Sequence, residues 1–424
     1  MKILVLSNFY PPEVVGGYEV ACAQAVEALR RLGHEVLVLT ASGRSFVPPQ
    51  EGVRRGFTIT DIWNQHTMNR RPPVVQRLMD VQSRLINSAN VHVLADTVGR
   101  FQPDVAYVHN LTGLGGLGLM ATLNHLGVPW AWQLGDAVPS YCCSVWGKVV
   151  PALADRFGAE MRGTFIAVSS RLVEEIEGQG VPLNGRVELL PYWIDGHPNP
   201  LPRRRVRNGP LKVVSAGRLT PYKGIDLLIE AVGLVRKERW SVELDLIGAI
   251  ADVDENHYPA LVQQHGVEDR VRFLGPLDHG DLIARYREYE IFAFPTWERE
   301  PFGIGPIEAA AHGACLPLIS QSCGLAEWLV HGVHCLKVEP TASALAQVFL
   351  DVLERRIDSQ TIAERSRAST WRDFHVDGLA PRLVQLLEDS ARTRSESSPG
   401  TPADAVRLAR LAEGLAESLV AEAA

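Results

Sequence analysis

The stretch from Leu211 to Asp226, LKVVSAGRLTPYKGID, decides the fold class of this chain. It opens with a short, nearly continuous apolar run, which is typical of a strand that is buried on both faces. Gly217 closes that run, and Gly224 leads into the amphipathic stretch GIDLLIEAVGLVRK. A buried strand, a glycine-containing turn and a helix in this order predict one unit of a parallel sheet covered by helices.

The same alternation of apolar runs and helical stretches extends in both directions from this unit. In the first half the predicted strands are KILVLS (2–7), EVLVLT (35–40), DVAYVHN (104–110), PWAWQLG (129–135) and TFIAVSS (164–170). In the second half they are LKVVSAG (211–217), SVELDLIG (241–248), RVRFLG (270–275), YEIFAFPT (289–296) and LPLIS (316–320). The segment from about 53 to 100 is less regular and predicts only a strand, a basic turn and a helix.

A stretch rich in Pro, Gly and Arg, GHPNPLPRRRVRNGP at 196–210, separates the two halves. We therefore expect an α/β protein of two doubly wound, Rossmann-like domains that face each other across a cleft. Ligands of such sheets bind beyond the carboxyl ends of the strands, so the cleft is the expected site. The predicted segments are a first domain (1–195), an interdomain linker (196–210), a second domain (211–375), a helix returning toward the first domain (376–391), a flexible linker (392–404) and an amphipathic C-terminal helix (405–424).

The C-terminal helical stretch carries four leucines on one face. They are Leu408, Leu411, Leu415 and Leu419. An apolar stripe of this kind is expected to be buried against a partner surface. Packing against the body of the protein is the simplest expectation, and a homodimer contact or a membrane surface are the alternatives.

Composition indicates a soluble globular protein with no nucleic-acid partner. Hydrophobic residues make up 46% of the chain, charged residues 21%, and the formal net charge is -7. The apolar run in MKILVLS is too short for a signal peptide. The 6 cysteines show no CxxC spacing, which argues against a zinc ribbon and for a reducing compartment. We expect a cytoplasmic protein, and contact with a membrane surface stays open.

Two sets of residues that suit a phosphate follow predicted strands. Gly16 and Gly17 lie between the first strand and its helix, where a ligand could approach the backbone and a helix N-terminus favours an anion. Arg218 and Lys223 follow the strand at 211–217. The planar guanidinium of an arginine beside the compact ammonium of a lysine suits a diphosphate. Two solvated surface cations are the alternative reading of the second set.

The stretch EPFGIGPIE, from Glu300 to Glu308, follows the strand at 289–296 and carries an acid at each end. We expect a helix to begin near Gly305, and the N–H groups of Gly303 and Ile304 to point into the cleft. Two carboxylates with N–H donors between them match a molecule built as ribose, diphosphate and sugar. The alternative is a turn closed by Glu300, with Glu308 favoured only by the helix dipole.

At this point the chain resembles a known family. The segment Glu300–Glu308 is similar to the E-x7-E motif of glycosyltransferase family 4, and GRLTPYKGID, FYPPEVVGGYE, VRFLG, GLAEWLVHG and TWRDF match its other segments in order. That family is retaining, has the GT-B fold and uses nucleotide-sugar donors. The resemblance covers about residues 1–390, and the ordered set of motifs is much more specific than any one of them.

The resemblance implies a role for each site. Arg218 and Lys223 would bind the donor diphosphate, Glu308 the ribose, and Glu300 the donor sugar near the reacting carbon. The other donor-binding positions would be Gly16, Gly17, Gly217, Phe302, Gly303 and Ile304. The first domain would bind the acceptor and the second a UDP-sugar, or a GDP-sugar or other nucleotide sugar. The leaving phosphate would take the proton of the acceptor hydroxyl, and no metal or other cofactor is expected.

The chain departs from the family after the strand at 129–135, where Gly135-Asp136 replaces a frequent His-Asp pair. His109, Asn110 and Asp136 are then the possible sugar or acceptor contacts. The departure keeps other functions open, namely a nucleotide-sugar epimerase, a sugar phosphorylase or a catalytically silent nucleotide-sugar-binding partner. Asp252 and Asp254 have an Asp-x-Asp spacing, but a polar loop explains them better than a metal site. The acceptor itself cannot be read from the sequence.

Overall fold

The computed structural model describes residues 1–43, 47–60, 71–145, 148–198, 209–250, 256–393 and 399–422. The chain forms two compact units, one of Met1–Leu190 with Ala380–Ala424 and the other of Pro191–Leu379. Each unit contains its own parallel sheet with helices in the connections, as a doubly wound fold requires.

The first unit contains nine strands and the helices between them, in the described part of the chain. They are β1 Lys2–Leu6, α1 Gly17–Arg31, β2 Glu35–Ala41, β3 Val53–Phe57, α2 Pro73–Arg84, α3 Ser88–Phe101, β4 Val105–Val108, α4 Gly116–His125, β5 Trp130–Leu134, α5 Val138–Cys143, β6 Ser144–Val145, β7 Lys148–Val149, α6 Pro151–Glu160, β8 Thr164–Ala167, α7 Ser170–Gly178 and β9 Arg186–Leu189. The main sheet has the order β3-β2-β1-β4-β5-β8-β9, while β6 and β7 form a small antiparallel pair.

In the described residues, the second unit has six strands in the order β12-β11-β10-β13-β14-β15. Its elements are β10 Leu211–Ala216, α8 Ile225–Lys237, β11 Val242–Ile247, α9 His257–His265, β12 Val271–Gly275, α10 His279–Arg285, β13 Ile291–Phe294, α11 Gly305–Gly313, β14 Leu316–Ser320, β15 Leu336–Val338, α12 Ala342–Leu353 and α13 Ser359–Asp373. The chain continues with α14 Val376–Arg392 and α15 Pro402–Glu422.

Both main sheets are parallel throughout, and their registers place apolar residues side by side. Leu4 of β1 lies between Leu37 of β2 and Ala106 of β4, and all three are buried or nearly so. This arrangement confirms the predicted fold class. The predicted strands are confirmed too, although most are one to three residues shorter than the apolar runs. The edge strand Arg186–Leu189 was not predicted, because it is short and two of its four residues are charged.

Each sheet reverses its strand order at one point, and this point fixes where a ligand is expected. In the first unit the reversal lies between β1 and β4, so the loops after these strands are neighbours. In the second unit it lies between β10 and β13, with Val213 beside Ile291. The loops that carry Lys223 and Glu300 therefore leave adjacent strands.

The prediction of one helix between 53 and 100 was wrong, because the described residues of this segment already contain two. Helix α2 ends at Arg84, and α3 begins at Ser88 after Asn87, whose side chain accepts a hydrogen bond from the backbone N–H of Asn90 at 3.2 Å. This N-terminal cap satisfies a backbone donor that a helix start otherwise leaves open. The predicted basic turn falls largely on residues 61–70, outside the described residues.

The prediction that the leucine stripe of the C-terminal helix packs against the body of the protein was also wrong. Leu408, Leu411 and Leu415 of α15 are 50%, 59% and 67% exposed. The helix packs against α2 and α3 through another face, on which Ala405 and Ala409 are buried. Alanines let two helices approach closely, and Glu413 adds hydrogen bonds from Gln82 and from the backbone of Ser88. A homodimer through this helix stays a prediction.

No helix in the described part of the chain has the length and apolar character needed to cross a membrane. The 6 cysteines are all buried and unpaired.

Candidate functional site

Lys223 and Glu300 meet where the sheet of the second unit reverses. Nζ of Lys223 donates to Oε2 of Glu300, and their side chains are only 18% and 14% exposed. The same Nζ lies 5.1 Å from the centre of the Phe294 ring, at the end of β13. The ion pair therefore joins the loop after β10 to the loop after β13 in a largely water-excluded position.

The turn that carries Lys223 is held in place by residues on the loop after β13. Trp297 donates its indole N–H to the carbonyl of Pro221 at 2.6 Å and its backbone N–H to that of Tyr222 at 3.1 Å. Gly224 ends the turn with φ +75, and a Cβ there would lie 2.3 Å from the carbonyl oxygen of Pro295. Glycine is thus required at this position by both backbone conformation and space.

Arg218 lies on the same loop and is exposed. No hydrogen bond or ion pair joins its guanidinium to another of the described residues. Gly217 precedes it with φ +139, and a Cβ on Gly217 would lie more than 4 Å from every described residue other than its neighbours in the chain. The structure therefore leaves Arg218 available for an anion at the carboxyl end of β10.

The segment after Glu300 is anchored through its backbone. The carbonyl of Glu300 accepts from Gly324 at 2.9 Å, and that of Phe302 accepts from Leu325 at 2.9 Å. Phe302 is 1% exposed, so its side chain is a core residue. Gly303 has φ +91, and a Cβ there would lie 2.6 Å from the Phe294 ring. These packing requirements explain the residue types at 302 and 303 without any ligand.

Helix α11 begins at Gly305, with Pro306 in its first turn, as predicted. Among the described residues, no hydrogen-bond acceptor is found for the backbone N–H groups of Gly303, Ile304 and Gly305. Free N–H groups at a helix start favour an anion. The backbone N–H groups of Gly303 and Ile304, which were predicted as donors, are thus free of described partners. They lie on the same loop as Glu300.

Glu308 lies one turn into α11, and its side chain is 12% exposed. Its Oε1 lies 2.8 Å from Nε2 of His279, the first residue of α10. The hydrogen bond and charge of Glu308 raise the pKa of His279 against the effect of partial burial. Burial lowers the pKa of His312, one turn beyond Glu308, so that imidazole is neutral near pH 7.

In the first unit, the glycine loop before α1 is held by Glu19. This buried carboxylate accepts from the backbone N–H of Gly16 at 2.8 Å and of Val15 at 3.2 Å. Gly16 and Gly17 are exposed, and a Cβ on either would meet no atom of the described residues within 4 Å, its neighbours in the chain aside. The loop therefore has open space beside both glycines.

His109 follows β4 and is 1% exposed, and neither ring nitrogen has a hydrogen-bond partner among the described residues. Its ring packs edge-on against Tyr107 and Tyr18, with centroids 4.4 and 6.0 Å apart. Burial lowers its pKa to about 3, so the imidazole is neutral in ordinary buffers. Tyr18 in turn accepts from the backbone N–H of Gly135 at 3.1 Å and donates to the carbonyl of Gln133.

Asn110 and Asp136 follow β4 and β5 and are less buried than His109. Oδ1 of Asn110 accepts from the backbone and hydroxyl of Thr112, at 3.0 and 2.6 Å. Oδ1 of Asp136 accepts from the backbone of Ala137 at 2.6 Å. Both side chains therefore shape their own turns, and Asp136 is the exposed member of the predicted trio.

The structure thus brings Lys223 together with Glu300. It also connects His109, after β4, with Gly135, after β5, through Tyr18. Sequence reasoning missed Tyr18, Glu19, His279 and Trp297. The spacing of Glu19, three residues after Gly16 at a helix start, could have indicated a capping role. Nothing in the sequence pattern indicates the other three. Asp252 and Asp254 lie outside the described residues.

Two Rossmann-like units, each with polar groups at the carboxyl ends of its strands, are the components of the GT-B fold. Two family models match the chain. One, described as "Glycosyl transferase 4-like domain", matches residues 16–193, and the other, "Glycosyl transferases group 1", matches residues 202–369. The chain belongs to the GT-B glycosyltransferases of the family 4 type, and it is a glycosyltransferase.

Named relatives and solved structures agree with this family. Over 414 residues the chain is 25% identical to a glycogen synthase of Mycobacterium tuberculosis, covering 95% of this chain and 98% of the relative. A sucrose-phosphate synthase from Thermosynechococcus elongatus superposes with TM-score 0.71 at 21% identity, covering 92% and 98%. Anabaena HepE, solved in complex with UDP and glucose, superposes with TM-score 0.65 at 17% identity, covering 92% and 100%.

Proposed function

We propose that this chain is a retaining glycosyltransferase that moves a sugar from a nucleoside-diphosphate sugar to an acceptor hydroxyl without a metal ion. A UDP-sugar is the donor that we favour. The complexes of Anabaena HepE, which has the same fold, contain UDP, UDP with glucose, or UDP-glucose.

The ion pair between Lys223 and Glu300 is the observation that carries this proposal. It places a cation and a carboxylate together at the reversal point of the second sheet, where ligands of doubly wound sheets bind. Arg218 on the same loop and the free N–H groups at the start of α11 add two further kinds of anion donor. A diphosphate needs such donors, and the hydroxyl groups of its ribose and sugar need carboxylates.

In the reaction, Arg218 and Lys223 would stabilise the charge that develops on the departing diphosphate. The bond between the anomeric carbon and the phosphate oxygen breaks, and its electron pair stays with the phosphate. The acceptor oxygen bonds to the same face of the anomeric carbon, through an oxocarbenium-like transition state, and its proton passes to the leaving phosphate. The two cations would supply the positive charge that a metal ion provides in other enzymes.

Glu300 would change partners when the donor binds. Lys223 would turn from Glu300 to a phosphate oxygen, which frees the Glu300 carboxylate to accept hydrogen bonds from sugar hydroxyls. Glu308 would accept from the vicinal hydroxyls of the ribose. The first unit would bind the acceptor with polar groups that follow β4 and β5, of which Asp136 is the most exposed.

The test is incubation of the protein with UDP-glucose, GDP-mannose and a panel of hydroxyl acceptors, followed by detection of free nucleoside diphosphate. We expect release that depends on the acceptor, and a product whose anomeric configuration by NMR equals that of the donor. An inverted product would contradict the retaining assignment. Full activity in excess chelator is expected, and its loss would contradict metal independence.

Other outcomes would identify the competing functions. Formation of a sugar phosphate from a saccharide and inorganic phosphate, without nucleotide, would indicate a phosphorylase. Conversion of the donor to its epimer without nucleotide release would indicate an epimerase. Binding of donor with no turnover across the panel would indicate a silent partner protein, a reading that the Gly135 substitution keeps open.

A further inference from the structure

His279 makes the hydrogen bond to Glu308 from a separate helix. Glu308 is on α11 and His279 begins α10, so the bond joins two elements at the carboxyl edge of the second sheet. The carboxylate is largely buried, with 12% of the Glu308 side chain exposed, whereas 59% of the His279 side chain is exposed. The pair therefore has one largely buried member and one that faces the solvent.

A glutamate carboxylate alone is a loosely oriented acceptor. Its terminal torsion has a broad minimum, so the plane of the two oxygens is poorly defined unless a neighbour fixes it. A carboxylate can accept about four hydrogen bonds, two at each oxygen. A single N–H donor at Oε1 therefore fixes the plane and still leaves the carboxylate able to accept from two hydroxyls.

Among the described residues, the hydrogen bond from His279 is the only one found to the carboxylate oxygens of Glu308. Removing His279 therefore leaves this largely buried carboxylate without a described side-chain donor. Two further titratable groups that interact with Glu308 are His312 and Tyr286. Burial lowers the pKa of His312 and raises that of Tyr286, so both are neutral near pH 7.

We propose that His279 is a positioning residue for the nucleotide, which fixes the Glu308 carboxylate in the plane that the ribose diol requires. This inference rests on the proposed function, because it assigns a nucleoside diphosphate to the site. His279 acts through Glu308 and has no contact with the reacting carbon. It sets the affinity for the nucleotide and leaves the chemical step unchanged.

The test is calorimetric titration of UDP into the full chain and four variants, His279→Ala, His279→Gln, Glu308→Ala and the double variant His279→Ala/Glu308→Ala. We expect His279→Ala to weaken UDP binding by about 5- to 20-fold, since hydrogen bonds to charged groups are the stronger ones. His279→Gln should recover most of that loss, because its amide also donates. In the Glu308→Ala background, removing His279 should have no further effect.

His257→Ala is a matched control. His257 makes a similar surface pair, with Nε2 at 2.9 Å from Asp226, in the same unit. This variant should bind UDP as the unaltered protein does. In turnover assays His279→Ala should raise the donor KM at constant kcat.

Three results separate failure of this inference from failure of the proposed function. If His279→Ala binds UDP as strongly as the unaltered protein, the positioning role is overturned and the proposed function is not affected. An equal loss in the presence and absence of Glu308 overturns it as well, because the effect then passes through other groups. If the unaltered protein binds neither UDP nor GDP, the proposed function fails and the inference fails with it.

Discussion

Lys223 and Glu300, 77 residues apart in the chain, form an ion pair between the loops after two adjacent strands. The pairing follows from topology, because β10 and β13 are neighbours at the point where the sheet reverses. It also means that the two groups assigned to diphosphate and sugar neutralise each other before the donor arrives. Donor binding would exchange one ion pair for two sets of charge-assisted contacts.

The first prediction concerns the stability of the nucleotide-free protein. Lys223→Met should lower the free energy of unfolding by about 1–3 kcal/mol, because it leaves the largely buried Glu300 carboxylate without its partner. The double variant Lys223→Met/Glu300→Gln should lose less than the sum of the two single losses. Urea unfolding of the four proteins measures this coupling, and additive losses would show that the pair contributes nothing.

The second prediction concerns Glu308. Glu308→Ala should raise the donor KM at least tenfold and change kcat little, because ribose contacts are the same in the ground and transition states. Steady-state kinetics at saturating acceptor separate the two constants. A fall in kcat at constant KM would place Glu308 at the reacting carbon instead.

The sequence predicted the parts of this site that depend on short-range pattern. The apolar runs gave the buried strands, and Pro306 after Gly305 gave the start of α11, because both reflect local backbone preferences. His279 and Trp297 were missed because their roles depend on which elements are neighbours in space. The leucine stripe led to a wrong prediction because periodicity identifies an apolar face of a helix but not the face that packs. In α15 the packed face is the one that carries the alanines.

The third prediction concerns this C-terminal helix. Ala409→Glu should destabilise the docking of α15, because it places a charge on a residue that is 5% exposed, at a cost above about 2 kcal/mol. Leu411→Glu, at a residue that is 59% exposed, should change stability by less than about 0.5 kcal/mol. Hydrogen exchange of residues 402–416 compares the two variants. Equal protection in both would contradict the observed packing face.

The fourth prediction concerns pH. Burial lowers the pKa of His109 from 6.5 to about 3. Between these two pH values His109 is therefore protonated in the unfolded chain and neutral in the folded chain. The contribution of His109 to stability is therefore full above about pH 6.5 and is lost as the pH falls toward 3.

His109→Gln removes the titrating group at similar size and supplies the control. As the pH falls from 6.5 to about 3, the free energy of unfolding of the unaltered protein should decrease relative to that of the variant. The expected decrease is about 1.4 kcal/mol per pH unit. Urea unfolding at several pH values measures the difference. Parallel pH profiles for the two proteins would show that His109 has the same pKa in the folded and unfolded chains.

The most direct test of the central claim is a calorimetric titration of UDP into the unaltered protein, Arg218→Ala, Lys223→Ala and the exposed-lysine control Lys237→Ala. If the two cations bind the diphosphate, each of the first two variants should weaken UDP binding by about 10- to 100-fold, while Lys237→Ala binds normally. UDP binding of equal strength in all four proteins would contradict the assignment of Arg218 and Lys223 to the donor.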